Sequence, residues 1–431
     1  MKSVEIVEIS KIIPVYKDGI EAERIQVVNF VFAGNEECGY NVITQKGLYE
    51  IGDKACYISP DYCISDIPIF DSFIRPNGDE TKSRLGKNFR IRALKFNFSF
   101  KDSNDPIYSI GILMPMGEVN DYIKVDYNPD DLSEILGVTK YEEPETGGNG
   151  LVAGEHPSFM YRTDETDSAQ LKGHVNRIAE SEQELGLTIK VDGSSHSTYF
   201  RKIFDENGNI IWKYGICSRN QEKKLDQFYV EKYVDANNNE FHKYINPETK
   251  VKGWYNDSEK KFYTTDEIEK VEGLSKINRE VKDSWVEVAT KSGIIEKGLE
   301  YCKKYDVQLV FRGELNGQGL KGSGCKNNPD SNNKQNIKLF GIDSLESGVA
   351  IRQHYGDEHN LKKVCEECGL EYTPIIKTVK PKSYDELIEI CEEIFKEEKT
   401  KGKLIEGVVI RTMYSNDLSA KKLSNEYDSK K

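Results

Sequence analysis

Along residues 1–100, apolar and polar positions alternate in short runs broken by turn residues. Val4–Ile9, Ile25–Ala33, Tyr40–Thr44 and Lys54–Ile58 carry the β-branched and aromatic content of strands, punctuated by Gly34-Asn35, Gly52-Asp53 and Pro60-Asp61. Short strands at this spacing predict a small barrel. Pro144-Glu145-Thr146-Gly147-Gly148-Asn149-Gly150 reads as a linker. Beyond about residue 160 the periods mix. Helices are predicted over Asn278–Thr290, Glu296–Tyr305 and Tyr384–Glu398, and strands over Leu187–Asp192, Ile210–Ser218, Gln308–Glu314, Ile337–Asp343 and Ile405–Arg411. A polar, Lys/Asn-rich stretch from Gln221 to about Lys276 reads as an insertion between core strands, and no internal repeat is present.

Length and composition narrow the class. A chain of 431 residues suits two or three domains, and 31% charged residues suit a soluble protein. No stretch approaches the roughly 20 apolar residues of a membrane span. Glu5 and Glu8 interrupt any secretory signal core, and nine cysteines, an odd number, fit a reduced cytoplasmic chain. The net charge of −13 argues against a nucleic-acid partner, and residues 1–150 carry 16 basic against 25 acidic groups. Yet Lys82, Arg84, Lys87, Arg90, Arg92, Lys95 and Lys101 form a run with no acid among them. Local charge governs phosphate contacts, because screening beyond about 8 Å removes the rest.

Candidate chemistry begins at Leu187-Thr188-Ile189-Lys190-Val191-Asp192-Gly193-Ser194. In a strand, Lys190 and Asp192 share one face, and Gly193 permits a tight turn. Alone, this pattern also fits an ordinary strand end. Glu314 closes a half-buried strand before the glycines 317, 319 and 322, and Glu406 sits in the otherwise apolar run Ile405–Ile410. A buried glutamate is costly unless paired, so an ordinary salt bridge competes with a functional role. Ser419-Ala420-Lys421-Lys422-Leu423-Ser424 adds two cations.

Taken in order, Lys190-x-Asp192-Gly193, Ser218-Arg219-Asn220, Gly313-Glu314, Phe340-Gly341-Ile342-Asp343, Glu406-Gly407-Val408-Val409 and Lys421-Lys422 resemble the covalent nucleotidyltransferases, which include DNA ligases, RNA ligases and mRNA capping enzymes. The match covers roughly residues 155–427. The resemblance implies an α+β chain in which an N-terminal OB-like β-barrel (1–150, with the linker) precedes a nucleotidyltransferase domain (151–431, with the insertion at about 221–276). That second domain is an adenylyltransferase, ATP-grasp-like ligase domain of antiparallel sheets flanked by helices. It also implies that Lys190 attacks the α-phosphate of ATP, expelling pyrophosphate and forming a lysine–AMP bond. By the same resemblance Asp192, Glu314 and Glu406 hold Mg2+ or Mn2+ through its waters, or the ribose. Arg219 contacts the AMP or the incoming strand's phosphate, Phe340 stacks on adenine, and Lys421 and Lys422 grip the α-phosphate. A lysine amine is nucleophilic only when neutral, and its ordinary pKa near 10.4 calls for nearby positive charge such as a divalent metal.

The family spaces its last two lysines one residue apart; here they are adjacent and point oppositely in a strand, and alignment of the flanking residues favours Lys421. Arg162 and Lys172 are candidates for the β- and γ-phosphates. Nine residues follow Lys422, leaving no room there for the C-terminal OB domain of DNA ligases and capping enzymes. Val4–Ile9, Asp18-Gly19-Ile20-Glu21, Gly52–Ile58 and Phe89–Lys95 resemble instead the N-terminal OB module of Naegleria-type RNA ligases, as do Ser218-Arg219-Asn220 and residues 317–324 with those enzymes' later motifs. The implied activity is ATP-dependent sealing of 3′-OH/5′-phosphate RNA ends or nicks, with Arg90, Arg92 and Lys95 contacting nucleic acid and the chain acting as a monomer. If extended throughout, Arg90, Arg92, Phe96, Phe98 and Phe100 share a strand face suited to phosphate contact and base stacking; the phenylalanines would equally serve as barrel core. A DNA or RNA/DNA-hybrid nick ligase and a nucleic-acid-binding protein with a degenerate transferase domain are the alternatives.

Three further patterns are read as structural. Cys365-Glu366-Glu367-Cys368 has zinc spacing without a second ligand pair, Asp235–Glu240 lacks the glycine and glutamate of a calcium loop, and Asp205-Glu206-Asn207-Gly208 is a hairpin turn.

Overall fold

The computed structural model describes residues 3–430 apart from 35, 142–150, 163, 227, 247, 248, 250, 257, 282 and 319–332. The expected linker, part of the Gly34-Asn35 turn and most of the 317–324 glycine segment therefore lie outside the described residues.

A long hairpin organises the N-terminal part. Val4–Lys17 and Ile20–Phe32 pair antiparallel around a turn in which Asp18 and Gly19 take φ values of 52° and 78°. Lys54–Ile58 and then Ile112–Pro115 extend this sheet on one side, and Val42–Gln45 and Glu36–Glu37 pair with the second hairpin strand. Among the described residues this is an open six-stranded sheet; no pairing closes it into the expected barrel.

Two sheets that build the site follow. The first, of seven strands, has at its centre Ile210–Cys217, Ser194–Phe204, Leu309–Asn316 and Asn336–Ser344 in that order, all antiparallel. The second, of five strands, places Leu185–Lys190 between Gly407–Thr412 and Ile375–Val379, with Ser419–Leu423 outside Gly407–Thr412. The helix Tyr384–Thr400 starts where the Ser383 hydroxyl accepts the Glu386 amide at 3.2 Å, with Asp385 and Glu386 in its first turn. Its buried residues, Tyr384, Leu387, Cys391 and Ile394, recur at helical spacing. They join Val7, Ile9, Val28 and Phe30 of the hairpin, and Leu185, Leu187, Val408 and Ile410 of the five-stranded sheet, in one hydrophobic core. The N-terminal sheet thus shares a core with the five-stranded sheet, and the Gly39 amide adds a 2.7 Å hydrogen bond to the Ala169 carbonyl.

One predicted helix is corrected. Ser275–Val281 is a strand paired with Phe228–Val234, and the helix runs only over Ser284–Ser292. Its start is set by Asp283, whose carboxylate accepts the Trp285 amide at 2.8 Å, and Gly293 ends it at φ 77°. Of the stretch expected as an insertion, Gln221–Lys223 belongs to the seven-stranded sheet, and the strands from Phe228 to Val281 form a separate five-stranded antiparallel sheet with a small core of Phe241, Trp254 and Ile268. The basic run is also corrected: only Leu94–Phe96 is strand, so Arg90 to Phe100 do not form one extended face. Phe98 and Phe100 pack against the core of Val15, Val27 and Ile107. Among the described residues no helix is long and apolar enough to cross a membrane.

Candidate active site

The five-stranded sheet builds the floor of a cavity of about 310 Å³. Lys190 lies opposite Gly407, Thr188 opposite Val409, and Val409 opposite Lys421, so strand alternation turns Thr188, Lys190, Val409, Arg411, Lys421 and Leu423 to the same side. Immediately before the strand, Glu406 faces the lysine: Lys190 Nζ donates to Glu406 Oε2 at 2.6 Å. The seven-stranded sheet brings in Glu314 and Phe340, and the turn at 218–220 brings in Arg219.

Two glycines allow this approach. A Cβ on Gly193 would lie 2.3 Å from the Leu315 carbonyl oxygen and 3.0 Å from Glu314 Cγ, and one on Gly407 would lie 2.4 Å from the Lys422 carbonyl oxygen. The 2.3 and 2.4 Å separations are shorter than a Cβ tolerates, so Gly193 lets the turn after Lys190 lie against the Glu314 strand of the other sheet, and Gly407 lets its strand lie against Lys422 within the five-stranded sheet.

Three carboxylates set the electrostatics. Burial opposes the charge on Lys190, but Glu406, Glu314 and Asp192 outweigh it and hold the amine above its ordinary pKa. Burial pushes the Glu314 carboxyl up to about 8; Lys190 offsets part of this, and Glu406 and Asp192 add to it by repulsion. Asp192 is buried and accepts a hydrogen bond from the Tyr427 hydroxyl. Among the described residues, no three His, Cys, Asp or Glu side chains converge as a direct metal-binding set. A crowded all-oxygen carboxylate group that repels itself still fits a hard divalent cation held through its own waters, the manner in which Mg2+ is commonly retained.

The remaining predicted residues divide. Arg219 lines the cavity and pairs with Asp164 at 3.0 Å. Lys421 lines it and lies 3.9 Å from Asp61. Lys422 points the other way, 3.2 Å from Glu392 and over the Phe395 ring, so its expected grip on the nucleotide is not formed. Arg162 is exposed, and Lys172 pairs with Glu37 at 3.2 Å and lies over Tyr384; neither lines the cavity. Arg90 is in the cavity wall, bonded to Asp61 and stacked on Tyr141. Arg92 donates to the Arg84 carbonyl at 3.2 Å and Lys95 is exposed. Asp343 of the Phe340–Asp343 motif is in a buried pair with Arg312 at 2.7 Å and accepts the Tyr161 hydroxyl at 3.0 Å, a structural role.

Sequence reasoning missed several lining residues. Arg411 donates to Glu165 at 2.6 Å and to the Phe340 carbonyl at 2.9 Å, fixing the aromatic wall. Burial works to raise the Glu165 carboxyl, but Arg411 prevails and holds it down at about 2. Arg411 shares the period-two face of Gly407 and Val409, a signal present in the sequence. Asp61 and Asp164 come from loops, Lys140 from the two-residue strand Thr139–Lys140 and Tyr427 from the last helix, where no periodicity marks them. Lys140 and Arg219 both bond to Asp164, and against the pull of burial these cations and Lys421 lower its pKa.

The three patterns read as structural lie on a helix and in two hydrogen-bonded turns. Cys365 and Cys368 lie on the helix Leu361–Cys368, and burial raises both thiols, Cys368 to about 11. Asp235 accepts the Asn237 and Asn239 amides, and Asp205 those of Asn207 and Asn209, as in hydrogen-bonded turns.

No family model matches the chain, and no curated protein does. Solved structures do. A glutamate-to-alanine variant of the Naegleria gruberi RNA ligase with ATP and Mn aligns over 100% of this chain and 99% of its own, at 19% identity and a TM-score of 0.63. A lysine-to-methionine variant with AMP and Mn aligns over 100% and 99% at 18% identity and 0.62, and another lysine variant, with ATP and Mn, over 100% and 99% at 19% and 0.61. In fold, the chain resembles the Naegleria gruberi RNA ligase along its whole length.

Proposed function

We propose that the chain is an ATP-dependent RNA ligase that seals 3′-OH/5′-phosphate ends or nicks through a lysine–AMP intermediate on Lys190. The observation that carries this reading is the Lys190 amine on the cavity floor, 2.6 Å from Glu406 and walled by Asp192, Glu314, Phe340, Arg219 and Lys421. The fold likeness to an RNA ligase determined with ATP or AMP and Mn supports it.

In this reading Phe340, braced by Arg411, receives the adenine, and Lys421 and Arg219 receive phosphate oxygens. Glu406 Oε2 aligns the amine and accepts the proton it sheds. The nitrogen lone pair attacks the α-phosphorus, the bond to the bridging oxygen breaks, and pyrophosphate leaves. The AMP then passes to the 5′-phosphate of the RNA, and the 3′-OH displaces it. A Mg2+ or Mn2+ ion among Asp192, Glu314 and Glu406 supplies charge neutralisation at the phosphates and favours the neutral amine. Residues 1–150 serve as the nucleic-acid-gripping module and residues 151–431 as the transferase.

The test is sealing of a nicked duplex whose 5′-phosphate strand is labelled, with ATP and Mg2+ or Mn2+, using RNA or DNA on either side of the nick. Joined product is expected with RNA at the 3′-OH side and none from Lys190→Ala. Joining of all-DNA nicks alone would make it a DNA ligase.

A further inference from the structure

The short segment from Ser424 to Asp428 touches three parts of the molecule. The Ser424 amide donates to the Glu406 carbonyl at 2.8 Å. The Tyr427 side chain, 1% exposed, places its hydroxyl on Asp192 Oδ2. One residue on, Asp428 Oδ2 accepts the Ala93 amide at 2.9 Å, and Asp428 Oδ1 lies 3.8 Å from Arg90. Ala93 and Arg90 belong to the N-terminal part; Glu406 and Asp192 belong to the catalytic cavity.

Ser424, Tyr427 and Asp192 are buried and Asp428 and Arg90 are largely so, and each contact is costly to lose singly. Ala93 is 4% exposed, and its amide has no strand neighbour, lying just before the strand Leu94–Phe96. Arg90 is held between Asp61 and Asp428 with its face on Tyr141. A carboxylate has two oxygens and several lone pairs. A hydroxyl fixed on one oxygen of Asp192 sets the rotation of the group and hence the direction of the other oxygen. The Tyr427 ring in turn is carried by the helix Asn425–Lys430, whose next residue is bonded to the N-terminal part.

We propose that Tyr427 and Asp428 form a positioning latch that couples the seating of the N-terminal segment around Arg90 and Ala93 to the orientation of Asp192. This rests on the ligase reading only in naming which reaction the orientation serves. Tyr427 is a positioning residue: it acts through Asp192 and touches no substrate.

The test uses the full chain with Tyr427→Phe, which keeps the ring and removes the hydroxyl, Asp428→Ala, and the double variant. Three quantities are read: thermal midpoint, single-turnover AMP labelling against ATP concentration, and hydrogen exchange of the Ala93 amide. Tyr427→Phe is expected to slow labelling at saturating ATP by about tenfold, the scale of one hydrogen bond to a charged group, with the ATP KM unchanged and the midpoint lowered. It is also expected to speed Ala93 exchange. The double variant is expected to lose no more than the worse single one, because the two residues act as one unit. A Tyr427→Phe protein with unchanged Ala93 exchange overturns the latch, as do losses that multiply in the double variant. If the wild type takes no label, the ligase reading fails and the latch is judged on Ala93 exchange alone: faster exchange in Tyr427→Phe sustains it, unchanged exchange removes it.

Discussion

Lys190 Nζ, at the end of its strand, and Glu406 Oε2, just before the neighbouring strand, stand 2.6 Å apart, with Lys190 in register with Gly407. The amine is aimed by an ion pair and kept protonated by it, so under the proposed ligase reading the pair that positions the nucleophile also restrains it. Glu406→Gln keeps the size of the side chain and removes its charge. The expected outcome is a fall in AMP labelling of about 10²-fold or more, the scale of a lost proton acceptor, in a protein whose circular dichroism is unchanged. Labelling at the wild-type rate would remove Glu406 from the reaction.

Lys421 and Lys422 are separated by strand alternation. Lys421 faces the cavity, and Lys422 faces Glu392 and Phe395. Lys421→Ala is expected to abolish labelling with little change in thermal midpoint. Lys422→Ala is expected to label within about twofold of wild type and to lose up to about 1 kcal/mol of stability, as for a part-exposed ion pair. Equal loss of labelling in both would contradict the geometry.

Gly193 is held by close approach rather than by backbone strain. Gly193→Ala places a methyl 2.3 Å from the Leu315 carbonyl oxygen. The two strands must separate, moving Glu314 away from Lys190, so the variant is expected to lose both labelling and about 1–3 kcal/mol of stability, the cost of overpacking. Urea unfolding alongside the labelling assay reads both.

Much of this site was legible from the chain. Lys190, Asp192, Glu314 and Glu406 stand out because each sits on an apolar-patterned strand or at its end, where a polar residue is conspicuous, whereas Phe340 is legible only through the family resemblance. Lys421 and Lys422 were visible as a pair, and the strand resolved which one turns inward. Arg90 was legible as a cation but not as the partner of Asp61, because the contact joins residues 29 apart across a turn. Tyr427 was hidden because an aromatic in a short terminal helix reads as core, and only the fold brings its hydroxyl to a residue 235 positions away. The helix predicted from Asn278 failed for a different reason. Lys276 to Val281 suits either period, and pairing with Phe228–Val234 decides in favour of strand.

The buried pair Arg312–Asp343 separates stability from chemistry. Both side chains are almost fully buried and bonded at 2.7 Å. Asp343→Ala leaves the guanidinium without its carboxylate, so a loss of about 3–5 kcal/mol is expected, measured by urea unfolding. Labelling per folded molecule should be close to wild type; a specific loss of labelling in fully folded protein would place Asp343 in the reaction.

Acid sensitivity follows from Glu165. Its folded pKa, near 2, lies below the ordinary 4.5 because Arg411 outweighs the effect of burial. A depressed carboxylate contributes stability that is present above pH 4.5 and lost as pH falls toward 2. Wild type is therefore expected to lose up to about 3 kcal/mol more than Glu165→Gln over that window. Thermal midpoints of the two proteins, compared from pH 5 to pH 2.5, should converge on acidification. Parallel curves would contradict the assignment.

The most direct measurement of the central claim needs no nucleic acid. Wild type and Lys190→Ala are incubated with ATP labelled at the α-phosphate and with Mg2+ or Mn2+, then denatured and separated. Label retained on the denatured wild-type chain and absent from Lys190→Ala is the predicted result. Equal labelling of both, or no label on a wild-type protein first stripped of bound AMP with pyrophosphate, would contradict it.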